Sequence, residues 1–183
     1  MQVESKPRSL KLRMLALVAA FAMLVGALVG STAQAAGPAE PDFTAEAIAS
    51  GLTPDQAAEL QKRIDDVLAS IPGGTQISPT EVAYDGLDVI VDPYASESDY
   101  SASAISCPQY YFCINSPTTN YQFYKCQTWE LTNWIGTWPY NNNQSSGTVA
   151  RAYASNGSTV VWSNTAKSSG NAYVTPWWYF RPC

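Results

Sequence analysis

Cys107-Pro108-Gln109-Tyr110-Tyr111-Phe112-Cys113 sets an aromatic run between two cysteines, and the rest of the chain is read outward from it. All four cysteines lie within the 78 residues 106–183. An even count in so short a segment, behind an export signal, implies a disulfide framework. Four cysteines allow three pairings, of which Cys107–Cys113 with Cys126–Cys183 is favoured. The first pair closes a short loop. The second clips residue 183 to the middle of the segment, and loop-closure entropy puts such a tie at about 4 kcal/mol. A core this small is marginal without staples.

Downstream of Ile105 the pattern is one of short strands. Tyr110–Asn115, Tyr121–Cys126, Thr148–Ala154, Thr159–Ser163 and Trp177–Arg181 are aromatic and β-branched runs separated by turn residues. Asn156-Gly157 reads as a tight hairpin turn. The segment holds 17 aromatic residues, including all six tryptophans, and aromatic side chains bury enough area to give a small β-sandwich a core. The fold class is therefore mainly β.

Upstream, residues 1–35 carry Lys6, Arg8, Lys11 and Arg13, an apolar run over Met14–Val29, and Ala33-Gln34-Ala35. That is the pattern of a cleaved secretory signal peptide; the run is shorter than the roughly 20 residues that span a bilayer. A secreted, extracellular protein without membrane attachment is expected. Residues 36–91 form an acidic leader. Its first part, 36–52, reads as poorly ordered. Thr53-Pro54-Asp55-Gln56 then reads as a capped helix start, with Leu60, Ile64, Val67, Leu68 and Ile71 as an apolar stripe that Pro72-Gly73-Gly74 stops. Val82, Tyr84, Asp85-Gly86, Leu87, Val89 and Val91 read as a hairpin. Residues 92–104 are a linker by composition, and 105–183 the β domain.

Charge divides the chain the same way. Residues 36–105 carry 13 acidic and two basic residues; from 106 on, only Glu130 opposes four bases, and the chain from 36 has a net charge of −8. The leader can thus be a mini-domain, a pro-segment, or a cover docked on the basic domain. No cluster of Lys and Arg tracks a nucleic-acid backbone, so nucleic acid is not an expected partner.

Catalysis is poorly served. The chain has no histidine, which removes Ser–His and Cys–His nucleophilic systems and the common zinc sets. Glycoside hydrolysis needs two facing carboxylates, and 106–183 has one. The protein is read as a non-enzyme. Trp177-Trp178-Tyr179-Phe180 offers aromatic binding candidates in Trp177 and Trp178, with strand alternation placing Trp177 and Tyr179 on one face. Asn141–Gly147 reads first as a polar turn.

Cys-Pro-x-x-Tyr-Phe-Cys at 107–113, Cys126 followed by Leu131-Thr132-Asn133-Trp134, Asn142-Asn143-Gln144-Ser145-Ser146-Gly147-Thr148, and the closing Arg181-Pro182-Cys183 together resemble a family of secreted bacterial peptidase (metalloproteinase) inhibitors with a βγ-crystallin-like domain. The resemblance covers roughly residues 105–183. It implies a Greek-key sandwich and inhibition of an extracellular protease by an inserted loop. Ser116–Asn120, Trp138–Ser146 and Asn164–Ala172 are the loops that read as long enough. βγ-Crystallin domains often bind calcium through Asn/Asp-Asn/Asp-x-x-Ser/Thr-Ser, which makes Asn141, Asn142, Ser145 and Ser146 candidate ligands. Neutral oxygens make such a site weak, and no other cofactor is expected. The rival is a non-catalytic binding or structural module for a glycan or protein surface. A monomer is expected in either case.

Overall fold

Thr53 and Gln56 cap each other at the start of the longer helix. The Gln56 amide N–H donates to Thr53 Oγ1 (3.3 Å) and the Thr53 N–H to Gln56 Oε1 (2.9 Å), satisfying two of the donors a helix start leaves open. With Pro54 at the first position the helix runs Pro54–Ser70 (α2) and buries Ala57, Leu60, Ile64 and Val67. A short helix, Thr44–Ala49 (α1), precedes it and buries Ala47, so part of the stretch expected to lack order is folded. The computed structural model describes residues 42–95 and 106–183. The export segment expected over 1–35 and most of the linker expected over 92–104 lie outside the described residues.

Three strands follow: Thr75–Ser78 (β1), Glu81–Tyr84 (β2) and Leu87–Val91 (β3). Val82, Tyr84, Leu87, Val89 and Val91 alternate inward as the pattern predicts, and β2 pairs with β3 around Asp85-Gly86. Gly86 has φ 113°, a conformation open to glycine at little cost. Its carbonyl accepts from Tyr124 N (3.0 Å) and Lys125 N (3.3 Å), so the turn is locked to a segment far downstream in the chain.

That lock reflects the main finding about the leader. β3 pairs with Thr119–Phe123 (β5) over five positions, Leu87↔Phe123 to Val91↔Thr119. The leader's strands and those beyond residue 105 therefore build one sheet. Around the turn, Lys125 Nζ meets Asp85 at 2.6 Å and Gln127 Nε2 donates to the Asp85 carbonyl at 2.7 Å. The described residues all fall in one compact unit spanning 38–183.

The remaining strands are Phe112–Asn115 (β4), Trp129–Glu130 (β6), Thr137–Asn142 (β7), Val149–Tyr153 (β8), Val160–Thr165 (β9), Ser168–Tyr173 (β10) and Tyr179–Arg181 (β11). They form a seven-stranded sheet in the order β1-β2-β3-β5-β4-β7-β10 and a four-stranded sheet in the order β6-β11-β8-β9, all antiparallel. The chain is mainly β. Each quartet, β4–β7 and β8–β11, sends its third strand into the other sheet. Phe112, Phe123 and Phe180 meet in the core at centroid separations of 4.8–6.4 Å.

Several strands depart from the sequence pattern. β7 and β10 were expected as loops, and β1 and β6 were not anticipated. Ser168-Ser169-Gly170-Asn171-Ala172-Tyr173 has poor β propensity, but its full register with β7 decides its conformation; context outweighs propensity in sheets. Pro139 is tolerated inside β7 because β4 reaches only Tyr140–Asn142 of that strand, so no ladder bond is lost on that side. At the C-terminus Trp177 precedes β11 and stacks on Phe180 (5.4 Å, 9°). Trp177 and Phe180 both point inward, contrary to simple alternation, because Trp177 lies outside the strand and the chain bends at Trp178 before β11 begins.

Candidate functional site

The first disulfide joins Cys107 to Cys113 with Cα atoms 5.7 Å apart. Strand pairing fixes its far end: Cys113 sits on β4 opposite Gln122 and Asn141 and is fully buried. The near end is held by Asn143, just beyond β7. Tyr110 N donates to the Asn143 carbonyl (2.9 Å), Asn143 N to the Tyr111 carbonyl (3.0 Å), and Asn143 Nδ2 to the Cys107 carbonyl (3.0 Å). A further turn bond runs from Tyr111 N to the Pro108 carbonyl (3.2 Å). Pro108, Gln109 and Tyr110 are exposed at the tip. Tyr110, 62% exposed, adopts φ 76°. A bulky residue in that left-handed region is strained, and here the disulfide and the Asn143 bonds hold it there.

Beside the loop the Tyr111 and Tyr124 rings lie 5.3 Å apart, and Tyr124 donates its hydroxyl to the Tyr84 carbonyl (3.0 Å). Desolvation pushes the Tyr111 hydroxyl above the usual phenol range, with Asp88 and Tyr124 adding to the shift. Partial burial likewise raises the Asp88 carboxyl.

The second disulfide joins Cys126 to Cys183, Cα atoms 5.4 Å apart. Both favoured pairings are thus present.

The candidate calcium residues are spread out. Asn142 is fully buried in β7: its Nδ2 donates to Asn164 Oδ1 (3.0 Å) and the Asn164 carbonyl (3.3 Å), and its Oδ1 accepts from Gln144 Nε2 (2.9 Å). Gln144 also reaches the Pro182 carbonyl, and Asn164 is held by Tyr140 and Ser168. Asn141, next on the strand and half-buried, takes the opposite face; Ser145 and Ser146 are exposed in the turn that follows. The motif's central amide is thus drawn into a network that ties β7, β9 and the C-terminal residues together. No group of three or more His, Cys, Asp or Glu side chains is placed to hold a metal among the described residues.

The aromatic candidates part company as well. Trp177 is 3% exposed, a core residue packed on Trp162 (4.8 Å) and Phe180; Trp178 is 54% exposed. The loops anticipated over Trp138–Ser146 and Asn164–Ala172 are largely strand. The Ser116–Asn120 segment is a tight turn closed by Ser116 N to the Thr119 carbonyl (2.9 Å). That turn lines an open cleft of about 920 Å³ together with Arg63 of α2, Trp134 and Trp138.

Sequence reading singled out the cystine loop but missed Asn143 as its anchor. The signal available was the position of Asn143 directly after a run ending in Asn142, at the mouth of the turn. No helix among the described residues is long and apolar enough to cross a membrane. No protein-family model, no curated protein and no solved structure matches this chain.

Proposed function

We propose that the chain is an exported, non-catalytic inhibitor of an extracellular peptidase, carried on a double Greek key of βγ-crystallin type. The fold part of this reading is supported by the strand order. In each quartet the fourth strand returns beside the first (β7 beside β4, β11 beside β8) while the third crosses to the other sheet, a four-strand Greek-key path made twice.

One observation carries the inhibitor reading: the Cys107–Cys113 loop is braced by a disulfide and hydrogen bonds within the chain itself. A loop already ordered by a disulfide and four hydrogen bonds avoids the ordering cost that weakens flexible binders. It offers an exposed tyrosine, the kind of anchor that dominates interfaces. Because Tyr110 is left-handed rather than extended, the loop wedges into a cleft without presenting a substrate-like peptide bond, and the bound inhibitor stays uncut.

The test is inhibition of a thermolysin-like metalloprotease and a subtilisin-like serine protease by oxidised residues 36–183. Sub-micromolar inhibition without cleavage is expected, and Tyr110→Gly, which suits the backbone, should weaken it at least about tenfold. A folded sample that slows neither enzyme overturns the proposal.

A second reading, a module that binds an extracellular surface, is favoured by Trp178, an indole left 54% exposed. It predicts retention on insoluble cell envelope with no effect on proteolysis.

A further inference from the structure

The outer face of the four-stranded sheet carries a feature that neither loop nor cleft explains. Arg151 on β8 and Arg181 on β11 are directly opposed in the register. Their neighbours Ala152 and Phe180 are fully buried, so alternation turns both arginines outward. Like charges directly opposite on a sheet are destabilising. Neither arginine pairs with an Asp or Glu side chain: the ion pairs among the described residues are Lys62–Asp66, Arg63–Glu59 and Lys125–Asp85.

Their own bonds are few. Arg151 Nη1 donates to the Val149 carbonyl at 3.3 Å; Arg181 Nε donates to the Cys183 main-chain oxygen at 3.0 Å, and its Nη2 lies 3.6 Å from Cys126 Sγ. Most of the guanidinium donors stay available. The next register pair along the same face is Tyr179 opposite Tyr153, with Glu130 beyond Tyr179 on β6. Trp178 adjoins that row, its N–H bonded to the Tyr153 carbonyl (2.9 Å).

We infer that this face binds an anionic polyol- or sugar-phosphate polymer of the cell-envelope kind, with Arg151 and Arg181 sharing a phosphate and Tyr153, Tyr179 and Trp178 supporting the adjoining carbon chain. This deepens the surface-binding reading and does not depend on protease inhibition. Paired guanidiniums match phosphate oxygens in geometry and charge, and a bound anion removes the repulsion between them. The row of aromatic rings beside the row of charge suits a ligand that alternates anionic and carbon-rich units. A chain with a net charge of −8 from residue 36 is repelled by polyanions in general, so binding at this spot needs local complementarity.

The experiment titrates oxidised residues 36–183 with poly(glycerol phosphate), followed by tryptophan fluorescence, at low and physiological salt. Saturable binding that weakens with salt is expected, with at least a tenfold loss in the Arg151→Gln/Arg181→Gln double variant and no loss in Lys167→Gln. Because Arg181 touches the C-terminal disulfide region, Arg151→Gln alone is measured beside it. Its hydrogen bond stays within its own strand, and a loss of several-fold is expected with no fall in the melting temperature, since the substitution also relieves the repulsion. Absence of binding by the unmodified chain, or equal binding by all variants, overturns the inference. So does tighter arginine-dependent binding of polyglutamate, which would point to an acidic protein partner. Retention on a neutral insoluble polysaccharide without poly(glycerol phosphate) binding would leave surface binding standing and overturn the arginine site.

Discussion

Isolating residues 106–183, the segment that carries the cystines and both candidate surfaces, should unfold it. The cut removes β3 from its place beside β5, where five positions are paired. At about 1 kcal/mol net for each ladder hydrogen bond, that edge contributes about 4 kcal/mol. Leu87, Val89 and Val91 are all fully buried; at about 2 kcal/mol each, with half of their contact made to the rest of the leader, they add about 3 kcal/mol. The loss of about 7 kcal/mol falls within the whole stability of an ordinary domain. It also uncovers Tyr121 and Phe123. Near-UV circular dichroism and urea unfolding of oxidised 36–183 and 106–183 provide the comparison. The shorter chain should lose the aromatic signal and the sharp transition. An unchanged urea midpoint would refute the reasoning and make the leader a dispensable cover after all.

The two disulfides should differ in weight: with sequence separations of 57 and 6, loop entropy assigns about 4 kcal/mol to Cys126–Cys183 and about 2 kcal/mol to Cys107–Cys113, measurable as paired Cys→Ser variants in urea. Asn142→Ala strips Gln144 and Asn164 of a buried partner and should cost about 2–3 kcal/mol, read from the same melts; Asn142→Asp, which keeps an acceptor but introduces a buried charge, should be worse at neutral pH. Tyr121 is 6% exposed, and desolvation, with Tyr84 adding, raises its hydroxyl far above the ordinary phenol value. The folded state therefore holds this proton when the unfolded state has lost it. Stability is fully present below about pH 10 and declines above it, a decline that alkaline denaturation of Tyr121→Phe should lack in part. The Asp88 carboxyl is raised by burial alone, so the charged form burdens the fold at neutral pH: Asp88→Asn should raise the melting temperature at pH 7 and lose that advantage below about pH 4.

Local chemistry was legible. The Thr53/Gln56 box, the Asp85-Gly86 turn and the two cystines follow from residues close in sequence, or from a small number of combinations. The strands rich in aromatic and β-branched residues were found for the same reason, with ends shifted by up to three residues (Tyr121–Cys126 expected, Thr119–Phe123 observed). What stayed hidden depends on partners far along the chain. β10 is a strand because β7 lies beside it, and β7 carries Pro139 and a tail of asparagines that read as a turn. The charge split between the leader and the rest suggested two parts, yet charge says nothing of hydrogen-bonding edges, and β3 finds its mate in β5. At the site, the aromatic cystine loop was visible, whereas Asn143 looked like one amide among several. Trp177 and Trp178 were equal on paper; the bend at Trp178, just ahead of β11, decides which is core.

β11 has a consequence for how the molecule comes into being. It is the last in order among the described strands, yet it lies between β6 and β8 rather than at an edge. Until residue 181 has emerged the second sheet has a gap at its centre, and until residue 183 has emerged Cys126 has no mate. The growing chain thus stays open, a form that can be threaded through a narrow passage. For a protein proposed to leave the cell, the order of its strands delays closure until β11 has been made.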